Sequence, residues 1–316
     1  MLEMWEMEFM QRAWLAGLAM ALTCPLIGSF LVLRRQSLIG DGLGHIAFAG
    51  VAGGALYGFS PVLSAAVATI LGAVAIERVR ARLSESADMV LAIFFYTGMG
   101  LAVIFTGLNH EGGFNLSSIL FGSLMTVSRE DLLVVRLLAL ATIIFVAFFY
   151  KALQYLTFDE TSAGVAGLPV EKLNLLLALL TALTVALSMR IVGLLLVSAM
   201  MVIPVACALQ TARSFAKTIL QSMAYGVLSV VMGLTVSYYG NLAPGGTIIV
   251  TGTVLFLISI LLGRKRVGKT APIQEECPVC AEEERVKSFV PHNLRKLMQR
   301  QGLGRSSSNS RKTQDK

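Results

Sequence analysis

The sequence predicts an all-α integral membrane protein: a bundle of about eight or nine transmembrane helices followed by a basic tail. Three observations carry this expectation. The 316-residue chain is 55% hydrophobic and only 14% charged, with a mean hydropathy of +0.73, whereas a soluble domain holds about a quarter charged residues. Its apolar residues gather in long runs, each close to the roughly 20 residues that a helix needs to cross a hydrocarbon core about 30 Å thick. Its Lys and Arg residues collect in alternate gaps between those runs, the signature of a chain that crosses a bilayer repeatedly.

In chain order the runs are 10–33, 38–59, 61–80, 88–107, 132–150, 173–189, 191–210, 218–239 and 246–263. Lipid offers no partner to backbone N–H and C=O groups, so each segment must satisfy its own as a helix. A barrel would need period-two alternation, which the runs lack. The sixth and seventh are short, and 114–127 reads as a partial helix, which leaves the count at eight or nine. Arg34 and Arg35 follow the first run, and Arg78, Arg80 and Arg82 follow the third. Lys151 and Lys172 bracket the loop after the fifth, Arg213 and Lys217 follow the seventh, and "GRKRVGK" follows the ninth. Placing these gaps inside puts the N-terminus outside and the C-terminus in the cytoplasm. The opposite side then carries Arg12, Arg129, Arg136 and Arg190. The opening "MLEMWEMEFMQRA" is acidic and amphipathic, unlike the positive start of a signal peptide.

Charge divides the chain into a transmembrane domain, 1–263, and a cytoplasmic tail, 264–316. The tail holds 13 Lys/Arg against 6 Asp/Glu, while the remainder is balanced at 13 against 13. The basic excess therefore marks an anchor at anionic lipid headgroups, and no nucleic-acid partner is expected. "GRKRVGKT", Gly263 to Thr270, matches the phosphate-loop pattern literally. That chemistry needs a strand before the loop and a helix after it. Here a membrane helix precedes the motif and Pro272 follows it, so nucleotide binding is rejected and any ATPase must be another chain. "RSSSNSRKTQDK" is low-complexity and reads as disordered. Cys24 and Cys207 lie in apolar runs, which argues against a disulfide framework. Cys277 and Cys280 form one C-x-x-C in the tail. A closed zinc site takes four ligands, which two tails would provide, or this pair with help from a partner; these cysteines are candidate metal ligands of a secondary site. His110 and Glu111 form a solvated pair in an external loop.

The chemically loaded stretch is "SLIGDGLGHIAFAG", 37–50. Asp41 and His45 are four residues apart and so share one face of a helix. Their row continues to Ala49 and Gly53, beside a second row of Ile46, Gly50, Gly54 and Gly58, and small residues at this spacing let helices approach closely in lipid. Ionisable residues inside a membrane are costly and mark a pathway or site. A carboxylate oxygen with an imidazole nitrogen suits zinc, manganese or iron. One such pair is an incomplete site; two pairs related by a dimer axis would make four ligands. The competing reading pairs Asp41 with Arg34 and Arg35 at the membrane surface.

"GSFLVLRRQSLIGDGLGHIAFAGVAGG" (28–54) resembles the opening of the permeases of metal-ion (zinc/manganese/iron) ABC importers, with its Arg-Arg, Ser-Leu and Asp-x-x-x-His. "SSILFGSLMTVSRED" (117–131), "FDETSAGVAGLPV" (158–170), "VGLLLVSAMMVIPVACAL" (192–209) and "APGGTIIVTGTVLF" (243–256) are similar to later segments of that family, in order over about 10–263.

The resemblance implies a fold like that of the cobalamin and siderophore importer permeases. It implies a multi-pass subunit of a bacterial plasma (inner) membrane, paired with a second copy or a paralogue. Its other partners would be cytoplasmic ABC ATPase subunits and an extracytoplasmic metal-binding lipoprotein. It makes Asp41 and His45 the transport ligands for a passing divalent ion, with no permanently bound cofactor and no catalytic residue of its own. It makes 158–170 the coupling element to the ATPase, with a short amphipathic helix over Phe158–Val165 and with Phe158, Asp159, Glu160, Gly167, Leu168 and Pro169 as its contact and turn residues. Gly44 and Ala49 stand where the family often has Ser and Pro, and Asp159–Ala163 where an aromatic followed by Ala-Arg is common. Pro204 reads as a shape residue that kinks its helix. Two other function classes share the Asp–His pair. An intramembrane metalloenzyme would need a third ligand and a general base. An ion-driven secondary transporter would usually show inverted repeats, and no convincing repeat is visible.

Overall fold

The computed structural model describes the backbone of residues 8–83, 87–108, 122, 128–240 and 242–267, and side chains within these from residue 11 to 261 apart from Arg190. His110, Glu111, Cys277 and Cys280, the 114–127 segment apart from Gly122, and the tail beyond 267 lie outside the described residues. So do most of the phosphate-loop-like stretch and the side chains of its first residues.

All regular structure among the described residues is helical. The helices are α1 (Glu8–Leu33), α2 (Ile39–Leu56), α3 (Pro61–Arg82), α4 (Ala87–Leu108), α5 (Arg129–Phe158), α6 (Glu160–Val165), α7 (Val170–Val192), α8 (Leu194–Thr211), α9 (Phe215–Gly240) and α10 (Pro244–Val267). All but α6 are long and apolar enough to span a bilayer, which gives nine candidate spans among the described residues. Helix boundaries follow the local chemistry. Pro61 opens α3 at its first turn, where its missing N–H costs nothing. Ser128 and Asp131 form a capping box that starts α5.

Two helices form the frame. α1 runs through the bundle and packs on α5, α7, α8 and α9, while α2 packs on α3, α4, α7 and α8. Phe30, Ile27, Leu43, Ile76 and Leu177 are fully buried in one of the resulting cores. Buried hydroxyls tie helices together without orphaned groups: Ser29 and Ser222 pair at 3.1 Å between α1 and α9, and Thr251 of α10 donates to the Ser229 carbonyl of α9. The outward faces of α3, α4, α5 and α10 expose Leu71, Ile104, Leu137, Phe148 and Leu261. Such an apolar exterior suits lipid, not water.

The structure departs from sequence expectation in two places. α5 continues to Phe158, beyond the expected end at 150. Its 30 residues extend about 45 Å at 1.5 Å each, well over a bilayer core, so its last turns leave the hydrocarbon region where Lys151 is tolerated. The boundary between the sixth and seventh spans falls at Gly193, with φ 90° and ψ 153°, a backbone shape that favours glycine. Pro204 lies inside α8, and the chain break falls at Gly193.

Candidate metal site and coupling helix

Asp41 lies in the first turn of α2 and His45 one turn further on. Both are half-buried. The imidazole packs edge-on against Phe95 of α4, with ring centroids 4.7 Å apart. His45 Nδ1 is buried and has no hydrogen-bond partner. A buried nitrogen without a partner is costly in a folded chain, and it suits an imidazole kept free to bind a ligand. No group of three His, Cys, Asp or Glu side chains gathers among the described residues, so the chain offers two donors here. Arg34, the alternative partner considered for Asp41, pairs instead with Glu160, Nη2 to Oε2 at 3.0 Å.

Close packing fixes α2 at this point. A Cβ on Gly98 of α4 would lie 2.9 Å from Ile46 N and 3.0 Å from His45 C. A Cβ on Gly44 would lie 2.0 Å from Leu194 Cδ1 of α8. A serine at this position would require the Leu194 side chain to move.

The ends of α1, α3 and α7 meet α6, which confirms that the gaps after the first, third and fifth spans share one end of the bundle. Asp159 accepts from Ser162 N at 3.0 Å and caps α6. The Ser162 hydroxyl and backbone together hold the Asp159 carboxyl below its ordinary pKa. At the other end Gly167, φ 82°, and Leu168 close the helix. Gly167 N donates to the Gly164 carbonyl at 3.0 Å and Leu168 N to that of Ala163 at 3.2 Å, the paired bonds of a Schellman turn. Leu168 packs with Leu156, Ala163 and Leu173, and Pro169 leads into α7. Val165, by contrast, is exposed. The expected start of the short helix needs correction. Phe158 is the last residue of α5 and stacks edge-on against Phe215 at 5.5 Å; the short helix begins at Glu160, after the Asp159 cap.

Glu160 is the residue whose setting the sequence did not disclose. Beyond Arg34, it lies 3.6 Å from Arg80 Nη1 and accepts from Asn174 Nδ2 at 2.6 Å. Arg80 is also held by Glu77, Nε to Oε2 at 3.2 Å. The Arg34 and Arg80 side chains are 5% and 9% exposed, and that of Glu160 44%. Burial pushes the Glu160 carboxyl up, but Arg34, Arg80 and the Asn174 amide together hold it below its usual value. Burial and then Arg80 pull the Arg34 guanidinium down, partly offset by Glu160. The signal available in sequence was only an Arg-Arg pair and a loop carboxylate, more than a hundred residues apart.

With this geometry in hand, residues 6–263 match the ABC 3 transport family. The chain belongs to that family. Relatives include a probable metal transport system membrane protein of Treponema pallidum, 37% identical and covering 83% of this chain and 100% of that one. Another is the manganese transport system membrane protein MntC of Listeria monocytogenes, 31% identical over 83% of this chain and 93% of that one. Among solved structures, PsaBC from Streptococcus pneumoniae in complex with Fab superposes with a TM-score of 0.71 at 28% identity, over 87% of this chain and 96% of that one. The family match and the shared architecture agree with the all-α permease fold expected from the sequence.

Proposed function

We propose that this chain is the membrane permease of an ATP-driven importer that carries a divalent transition metal ion into the cytoplasm. Asp41 and His45 are its transport ligands, and the observation that carries the reading is the pair itself: two metal donors one turn apart on α2, with His45 Nδ1 buried and unpartnered. An Asp oxygen and a His nitrogen suit manganese, zinc or ferrous iron. A second copy, or a paralogue, placed with its α2 opposite would complete a four-ligand site. Two ligands from each side of a moving interface bind an ion firmly enough to accept it and loosely enough to release it. The membrane family match and the manganese-named relative support this class of cargo.

The end of the bundle bearing Arg34, Arg80 and α6 faces the cytoplasm on this reading, as the Lys/Arg bias requires, and the C-terminal tail lies there too. α6 and its flanks, from Asp159 to Pro169, seat in a separate ATPase, while a metal-binding lipoprotein delivers the ion to the opposite side. Cys277 and Cys280 are candidate ligands of a secondary zinc site, completed by a second tail or by a partner.

The test is ATP-dependent uptake of manganese and zinc by cells whose only copy carries His45→Ala. Uptake is abolished while membrane expression and co-purification of the ATPase persist. Normal accumulation in that variant overturns the proposal. Uptake that needs an ion gradient and no ATPase would favour a secondary transporter.

A further inference from the structure

The contacts around Glu160 point to more than docking. α6 is anchored by Asp159 and by the Gly167 turn, and among the described residues its only side chain with charged contacts to the rest of the bundle is Glu160. That carboxylate reaches α1 through Arg34, α3 through Arg80 and α7 through Asn174. Of these, Arg34 leads directly to the metal ligands. Arg35 N donates to the Val32 carbonyl at 3.0 Å and Gln36 N to that of Leu31 at 2.9 Å. This is again a Schellman turn, here with Arg35 at φ 58°, the one non-glycine residue with positive φ among the described residues. Glycine is the usual occupant, because an L side chain at this position is strained. Gln36 is buried, and Ile39 N bonds back to its carbonyl at 3.1 Å. α2 starts at Ile39 and Asp41 sits in its first turn. The path from Glu160 to Asp41 is thus one ion pair and one hydrogen-bonded turn with little slack.

We infer that Glu160 is a positioning residue that couples movement of α6 to α2, and so sets the placement of Asp41 and His45 when the ATPase closes. The inference rests on the proposed importer function and deepens it. Displacing α6 drags the buried Arg34 guanidinium, because parting the pair would leave that charge buried and unpaired. The rigid 34–38 turn passes the displacement to α2, a packed element able to shift as a unit.

The experiment uses the complete transporter, with its ATPase and binding protein, in proteoliposomes. It measures ATP hydrolysis, manganese or zinc ions moved per ATP, and ATPase co-purification. Glu160→Gln is expected to lower the ions moved per ATP by about tenfold, a typical coupling effect. Arg34→Gln is expected to lower ions per ATP to the same extent, and the double variant Arg34→Gln with Glu160→Gln no further, as one coupled pair requires. Glu160→Asp, which keeps the charge but shortens its reach, serves if Glu160→Gln fails to fold, and is expected to lower ions per ATP likewise. Unchanged ions per ATP in Glu160→Gln, loss of ATPase co-purification, or losses that multiply in the double variant each overturns the inference. Failure of the unaltered transporter to accumulate either ion with ATP would instead overturn the proposed function.

Discussion

Gly98→Ala is a sharp probe of how packing holds the candidate site. The added methyl would meet Ile46 N at 2.9 Å, His45 C at 3.0 Å and Ile46 Cγ1 at 3.1 Å. Ordinary carbon contacts lie at about 3.5–4.0 Å, so α4 and α2 must separate by roughly half an ångström or more. Two of the three contacted atoms are backbone and cannot rotate away. Overpacking of this kind costs about 1–3 kcal/mol, while replacing glycine by alanine within a helix returns about 1 kcal/mol. The net loss of stability is therefore expected to be at most about 2 kcal/mol. Function is expected to suffer more. Phe95, three residues earlier on α4, rests on the His45 ring, and a misplacement of about 1 Å at a reacting group can cost around a hundredfold. Gly107→Ala is the matched control, since a Cβ there meets nothing within 4 Å. Thermal unfolding in detergent and metal uptake in cells, measured together, give the answer. A small drop in melting temperature with a large drop in uptake for Gly98→Ala, and no loss of uptake for Gly107→Ala, is the expected pattern. Wild-type uptake in Gly98→Ala would refute the claim that this contact sets the position of His45.

The strained turn after α1 predicts that Arg35→Val destabilises the protein by about 1–2 kcal/mol, because a β-branched residue resists positive φ; Arg35→Gly is tolerated, and unfolding in detergent distinguishes them. The depressed Glu160 carboxyl predicts a pH effect. Its contribution is fully present above its ordinary pKa of 4.5 and is lost as pH falls through the lower folded value. Glu160→Gln should therefore lower stability at neutral pH, by about 1 kcal/mol given that the carboxylate is half exposed. The variant and the parent should then converge in melting temperature as pH falls below that range; a constant gap would contradict the ion-pair account. Val165, exposed at the end of α6, should tolerate aspartate without loss of folding but with loss of ATPase co-purification. Retained co-purification would move the docking surface elsewhere.

Sequence gave access to the spans because hydropathy reports what faces lipid, and the lipid-facing and core residues of a membrane helix are both apolar. The same property explains where it failed. "KALQYLTF" ends the apolar run at Lys151, yet α5 continues through it because a helix needs no apolar surface once it has left the bilayer core. The break at Gly193 was displaced by a few residues because the flanking residues are apolar on both sides, so only backbone conformation marks it. The Asp41–His45 pair was legible from a four-residue spacing, a purely local property of helices. The Glu160 junction was not, since it brings Arg34 and Arg80 to a carboxylate 126 and 80 residues further along the chain, and no local pattern records which arginine a carboxylate will find. Sequence places Phe158 in the short amphipathic helix, whereas in the structure it ends α5 and contacts Phe215.

The central claim is that Asp41 and His45 ligate the transported ion, in two copies facing each other. X-ray absorption at the metal edge of the purified zinc- or manganese-loaded permease pair tests it most directly. The account predicts a first shell of nitrogen and oxygen donors, with zinc distances of about 2.0–2.2 Å, and with imidazole scattering that disappears in His45→Ala. A shell without imidazole in the unaltered protein, or one unchanged by His45→Ala, would contradict it.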